Sequence, residues 1–164
     1  MIPTDRYNQI IDVLPILCVD VVIRNRQGEV LLIKRANEPR KGEWWVIGGR
    51  LLKGETLEQA VIRKVREETA LEVETVRPIG YYEAVAQENP FGLDSPLHAV
   101  SVVFSTVVDD HQPISLDDQS SDWGFFQELP AEFHINTFGD GQSPGAQPGA
   151  AGVVQPGQPG VKLL

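Results

Sequence analysis

Carboxylates gather where a glycine-bearing loop would run into a helix. The segment 48–71, GGRLLKGETLEQAVIRKVREETAL, puts Glu55 at the end of the loop and Glu67-Glu68 far along the helix. Glu68 lies four residues beyond Lys64 and Glu67 four beyond Arg63, so each acid shares a helix face with a cation. Several carboxylates converging at such a junction make a hard-oxygen site suited to Mg²⁺ or Mn²⁺. Mg²⁺ held by a few carboxylates keeps positions open for water and substrate phosphates. The bland alternative is a solvated helix face with ordinary Glu–Arg pairs, the commoner use of such acids.

The spacing decides between them. The segment resembles the Nudix box, G-x5-E-x7-R-E-U-x-E-E-x-G-U with U a bulky apolar residue. Gly49, Glu55, Arg63, Val65, Glu67, Glu68 and Leu71 all fall in register. At residue frequencies near ~7%, the charged and glycine matches would coincide about once in a million per register. The resemblance implies the Nudix fold: an α+β domain, a mixed β-sheet layered against helices, with a loop–helix site for Mg²⁺ or Mn²⁺. From about Leu14 to Pro130 the chain is also similar to the GDP-mannose mannosyl hydrolase branch of that family. That branch cleaves a nucleotide sugar by substitution at the sugar carbon. Carried over position by position, the resemblance gives the Gly48 carbonyl, the Glu68 carboxylate and the Gln119 amide as metal ligands, with Glu67 beside them. It gives Arg35 and Arg50 as stabilisers of the departing diphosphate, and Asp20 as an acid of the active site. It further implies a nucleoside diphosphate sugar as substrate and a homodimer in which both chains shape the site.

The departures from the pattern bear on chemistry. Lys64 replaces the first Glu of the R-E pair, Ala70 the helix-ending Gly, and Ile47 the Pro before the glycines. Ser120 stands where the branch has a histidine base, and Ala99 where it has a tyrosine. A serine hydroxyl is a poor base at neutral pH. Lys64 is expected to pair with Glu68 or Glu67 and to reduce the number of bound ions. Three functions stay open: attack at the sugar carbon, attack at phosphorus of another nucleoside diphosphate derivative, or nucleotide sensing without catalysis. The Glu67-Glu68 pair favours an enzyme, whereas Lys64 and Ser120 favour a sensor.

Positioning these residues needs a particular set of elements. Ile16 to Arg24, rich in β-branched residues, predicts a strand, Asn25–Gly28 a turn, and Glu29 to Lys34 the returning strand. A short strand from Trp44 to Ile47 should end at Gly48-Gly49. Thr56 to Thr69 reads as a helix with Leu57, Ala60, Val61 and Val65 on one face and Thr56 as its cap. Further strands are expected at Leu71–Val76, Ile79–Ala86, Ala99–Val108 and Trp123–Gln127. Loops are expected at 89–96, overhanging the site, and at 109–121, which is acidic. After Phe138 the composition changes: residues 139–160 hold seven Gly and four Pro with Asp140 as the sole charge. Such a segment lacks the apolar side chains to offset its ordering entropy. The chain therefore divides into a domain over 1–137 and a tail over 138–164.

Composition excludes several classes. Of 164 residues, 41% are hydrophobic, enough for one core. The net charge of −9 opposes binding to nucleic acid or to an anionic membrane, since both require basic surface. The lone cysteine, Cys18, rules out an internal disulfide and reads as a small core residue. No secretion signal or membrane span is apparent, so a cytoplasmic protein is expected. Among remaining candidates, Trp44, Trp45, Tyr81, Tyr82 and Phe91 could stack on a base, with Phe91 and the tyrosines best placed. His98 stands out among the three histidines, ahead of His111 and His134. Asp117, Asp118 and Asp122 flank Gln119 and could add a ligand or a base, or form a solvated acidic loop.

Overall fold

The computed structural model describes residues 2–37, 40–86, 89, 93–94, 96–109 and 111–133. Phe91, His134 and the tail expected over 138–164 lie outside these residues, as does half of the 89–96 loop. In chain order the elements are α1 (Thr4–Ile11), β1 (Ile16–Arg24), β2 (Val30–Arg35), β3 (Trp44–Trp45), β4 (Ile47–Arg50) and α2 (Leu57–Thr69). They are followed by β5 (Arg77–Ala86), β6 (Leu97–Val107) and β7 (Ser120–Phe126).

The strands form one seven-stranded sheet ordered β3-β2-β1-β6-β5, with β4 paired to β1 and β7 to β2. β1 and β6 run parallel over nine residue pairs, and the other pairings are antiparallel, so the sheet is mixed. β1 is the axis of the fold. Val19 through Ile23 are all buried, as a strand covered on both faces requires. Its odd residues Val19, Val21 and Ile23 pack with Ala60, Val61 and Val65 of α2, Ile47 and Phe104. On the other face Val22 joins Val30 and Leu32 under Trp44, Phe126, Leu129 and Phe133.

The hairpin between β1 and β2 turns where the sequence indicates. Asn25 Oδ1 accepts from the Gln27 and Glu29 amides at 3.1 and 2.9 Å, and Gly28 takes φ +85°. The helix also starts as expected. Thr56 accepts from the Gln59 amide at 3.2 Å while Gln59 accepts from the Thr56 amide at 2.8 Å, a reciprocal cap.

Four expectations are corrected. The short strand does not stop at Gly48-Gly49. It divides into β3, paired with β2, and β4, which runs on to Arg50 because it pairs with β1 through Asp20↔Gly48, Val19↔Gly49 and Cys18↔Arg50. Residues 71–76 are irregular rather than a strand. Their backbone is engaged elsewhere: the Glu72 amide donates to Gln112 Oε1 at 3.1 Å and Thr106 Oγ1 donates to the Thr75 carbonyl at 2.8 Å. Leu71 and Val73 enter the α2 core instead. β7 begins at Ser120, earlier than expected, because it pairs with β2 as far as Arg35↔Ser120. Finally, α1 was not anticipated. Tyr7, Ile10, Ile11 and Leu14 have helical spacing, but only Ile11 of α1 is buried, so the apolar stripe is short.

Candidate functional site

The loop 49–55 and α2 are bolted together by Arg63. Its Nε and Nη2 donate to the two Glu55 oxygens at 2.9 and 2.7 Å, Nη2 also donates to the Arg50 carbonyl at 3.1 Å, and Nη1 reaches Glu67 at 3.2 Å. Glu55 Oε1 further accepts from the Leu52 amide at 2.6 Å. These donors, Arg63 first, hold the Glu55 carboxyl below its ordinary range. Glu55 thus shapes the loop, and its oxygens are taken by protein donors.

Glu68 is the next-to-last residue of α2, with its side chain 11% exposed. Burial pushes its carboxyl up to about 7; Lys64 works against that shift, while the charges of Asp117 and Asp20 add to it. The loop before β7 and the first strand therefore both send a carboxylate toward α2. Lys64 Nζ lies 2.6 Å from Glu68 and 3.4 Å from Glu67, the pairing the sequence suggests. Glu67 is half exposed and shared between Arg63 and Lys64.

Asp20 is the most enclosed acid of the group, 6% exposed. One of its oxygens accepts from Tyr82 Oη at 2.6 Å and from Ser101 Oγ. Burial raises its carboxyl, and the two hydroxyl donors oppose the rise. Its other oxygen lies against Gly48, where a Cβ would collide with it and with the Val19 carbonyl. Glycine at 48 is therefore required by this close approach. Register explains the grouping: Asp20 is opposite Gly48, Cys18 is opposite both Arg50 and Ser101, and Ser101 is opposite Tyr82.

Arg50 places its guanidinium 4.4 Å from the Tyr7 ring of α1. Arg35 ends β2 opposite Ser120, with its guanidinium 5.6 Å from the Trp45 ring. Gln119 is exposed; its amide Nε2 donates to Asp117 Oδ2 at 3.2 Å, and its backbone N–H donates to Oδ1 at 3.0 Å. The structure thus links Glu68 with Asp20 and Asp117, while Gln119 reaches that group through Asp117. Cys18 is partly buried on the same sheet face, and its thiol is pushed up to about 11 by burial and by Asp20. At that value it stays protonated at neutral pH and is not a nucleophile.

Tyr82, Ser101 and Tyr7 carry contacts that sequence reasoning missed. A polar Asp20 inside an apolar strand demanded hydroxyl partners, and Ser101 within the apolar run of β6 was the available signal. Among the base-stacking candidates, Trp44 instead packs edge-on to Phe126 at 4.9 Å, and Tyr82 is turned to Asp20. His111 is exposed in the acidic loop, and His98 is the second residue of β6, opposite Val85.

Among the described residues, no three carboxylate, imidazole or thiolate groups form a ready metal cage. The donor set nevertheless fits Mg²⁺ or Mn²⁺ held by few protein ligands. Glu68 is buried near two further acids whose charge it feels, and apart from the Lys64 ammonium the groups it senses are carboxylates, which are hard-oxygen donors. Glu68 with Glu67, the Gly48 carbonyl, Asp117 and Gln119 are the groups able to hold such an ion.

A family model described as NUDIX domain matches residues 14–138. The low-salt glycan biosynthesis protein Agl8 of Haloferax volcanii is 36% identical over 127 residues, spanning 77% of this chain and 80% of that protein. An ADP-ribose pyrophosphatase of Methanocaldococcus jannaschii is 38% identical over 90 residues, 55% of this chain and 49% of its own length. The crystal structure of a MutT NUDIX hydrolase from Burkholderia pseudomallei superposes with a TM-score of 0.64 at 26% identity, covering 74% of this chain and 91% of that one. The box in register, the mixed sheet that carries it and these likenesses agree, and the chain belongs to the NUDIX family.

Proposed function

We propose that this Nudix hydrolase cleaves a nucleoside diphosphate sugar with the help of Mg²⁺ or Mn²⁺. The observation that carries the reading is the buried Glu68, which feels the charge of Asp20 and Asp117 beside the Gly48-Gly49 strand. When bound, the cation neutralises charge developing on the diphosphate. Arg50 and Arg35 add fixed positive charge from β4 and β2, each steadied by an aromatic ring. With Ser120 in place of a histidine, we assign the base to Asp117, whose charge acts on Glu68. Two relatives support the substrate class in their names alone: one for glycan biosynthesis, the other for ADP-ribose, itself a nucleoside diphosphate joined to a sugar.

One observation favours a second reading. The ammonium of Lys64 already occupies Glu68, which would suit a domain that binds nucleotide without turning it over. Incubation with Mg²⁺ and a panel of nucleotide sugars in ¹⁸O-water separates the readings. Label in the released sugar identifies attack at the sugar carbon, and label in phosphate identifies attack at phosphorus. Tight nucleotide binding with no hydrolysis of any substrate would replace the enzyme by a sensor.

A further inference from the structure

Lys64 lies where a bound cation's charge would be needed. Its ammonium is 2.6 Å from Glu68 Oε1 and 3.4 Å from Glu67 Oε2, and the side chains of Lys64 and Glu68 are 13% and 11% exposed. Its stem crosses Gly49 so closely that a Cβ there would come within 2.9 Å of Lys64 Cε. An ion pair this enclosed adds little stability over an apolar pair of the same shape, because both ions lose their hydration. Its position suggests another use. A divalent ion taking Glu68 cannot share that oxygen with an ammonium, since like charges a few ångströms apart repel strongly in a partly buried site. The displaced ammonium remains tied to α2 by its flexible stem, in the crease between α2 and β4. A diphosphate held by the same ion brings its negative charge into that crease.

We propose that Lys64 is a diphosphate-binding residue held in reserve on Glu68: it leaves that carboxylate when a divalent ion binds there and turns its ammonium to the substrate's diphosphate. The proposal rests on the metal-site reading above. It makes ion and diphosphate binding mutually reinforcing, since the two affinities are linked by one coupling free energy. It also predicts that the ion alone binds weakly, because it must first displace Lys64.

The test compares the parent full-length chain with Lys64→Met by titrating Mn²⁺ alone, followed by electron paramagnetic resonance of the free ion. GDP and ADP binding is then measured by calorimetry, once with Mn²⁺ in excess and once in chelator. We expect the variant to bind Mn²⁺ alone about tenfold or more tightly than the parent, and the nucleotide with Mn²⁺ about tenfold more weakly. Nucleotide binding in chelator should be the same in both, because Lys64 is then on Glu68. Equal Mn²⁺ affinities in the two proteins would overturn the proposal and leave the metal site standing. Tighter Mn²⁺ with unchanged nucleotide affinity would make Lys64 a competitor only, and would overturn its diphosphate role. Absence of Mn²⁺ binding in both proteins would instead remove the metal-site reading itself. Lys64→Gln, which keeps a neutral donor for Glu68, should show the same two shifts and serves if the methionine variant fails to fold.

Discussion

Glu68, on which the proposed chemistry centres, is buried near two other acids. Its raised carboxyl means that protons and divalent ions compete for it. Mn²⁺ affinity should weaken about tenfold per pH unit below 7 and level off above it, as a titration at several pH values would show. The sign for stability runs oppositely in the metal-free protein. The carboxyl rises from 4.5 to about 7 on folding, so its contribution is fully present below 4.5 and lost as pH rises through 7. Melting temperature without metal should therefore fall across that window, and Mg²⁺ should reverse the fall. Glu68→Gln should lower turnover by about a hundredfold or more, as expected when a preorganised charge is removed; unchanged turnover would move the metal elsewhere. Tyr82→Phe removes one of two hydroxyl donors to Asp20. It should destabilise the fold by about 1–3 kcal/mol in denaturant titrations, the usual consequence of stripping a donor from a buried acid.

The loop–helix unit is held by contacts local enough to be read from sequence. The Thr56–Gln59 cap and the Arg63 fork on Glu55 fix where α2 starts and how loop 49–55 leaves β4. The other end of α2 is less well served. Ala70 is left-handed at φ +59°, a conformation that costs a residue with a Cβ about 1 kcal/mol. Ala70→Gly should raise the melting temperature by about 2–4 °C in calorimetry. The β1–β4 pairing is the opposite case, where glycine is already needed. Gly48→Ala drives a methyl group into the Asp20 carboxylate. It should cost about 1–3 kcal/mol, as overpacking does, and displace Asp20 or β4 so that turnover falls steeply.

Over the whole molecule, the sheet covers one face with α2 and the other with the aromatic cluster of Trp44, Phe126 and Phe133. The candidate site lies where α2 meets the paired strands β1 and β4. No helix among the described residues is long and apolar enough to cross a membrane. Ile10, Leu14, Leu17 and Leu52 are exposed around a cavity of about 310 Å³ that Tyr7 and Arg50 also line. We expect a homodimer, which sedimentation equilibrium would check. Removing residues from Gly139 onward should leave melting temperature and turnover nearly unchanged, because that segment offers little apolar surface to bury. A marked loss of either would extend the domain past 137.

Local pattern was sufficient for α2, its cap, the β1–β2 hairpin and the Arg63–Glu67 and Lys64–Glu68 pairs. Each is set by spacing within a few residues, and helical periodicity or turn chemistry carries that information. The same reasoning failed at residues 71–76. Their side chains are β-compatible, but their backbone groups are taken by Gln112 and Thr106, residues more than thirty positions away. It also missed the strand through Gly48-Gly49 and the hydroxyl partners of Asp20. Those follow from register between β1, β4, β5 and β6, which brings Asp20, Gly48, Ser101 and Tyr82 together across the sheet. The sequence thus specified the loop and helix that carry the acids. Folding determined which carboxylates share a field, because that depends on distances between strands that no single segment encodes.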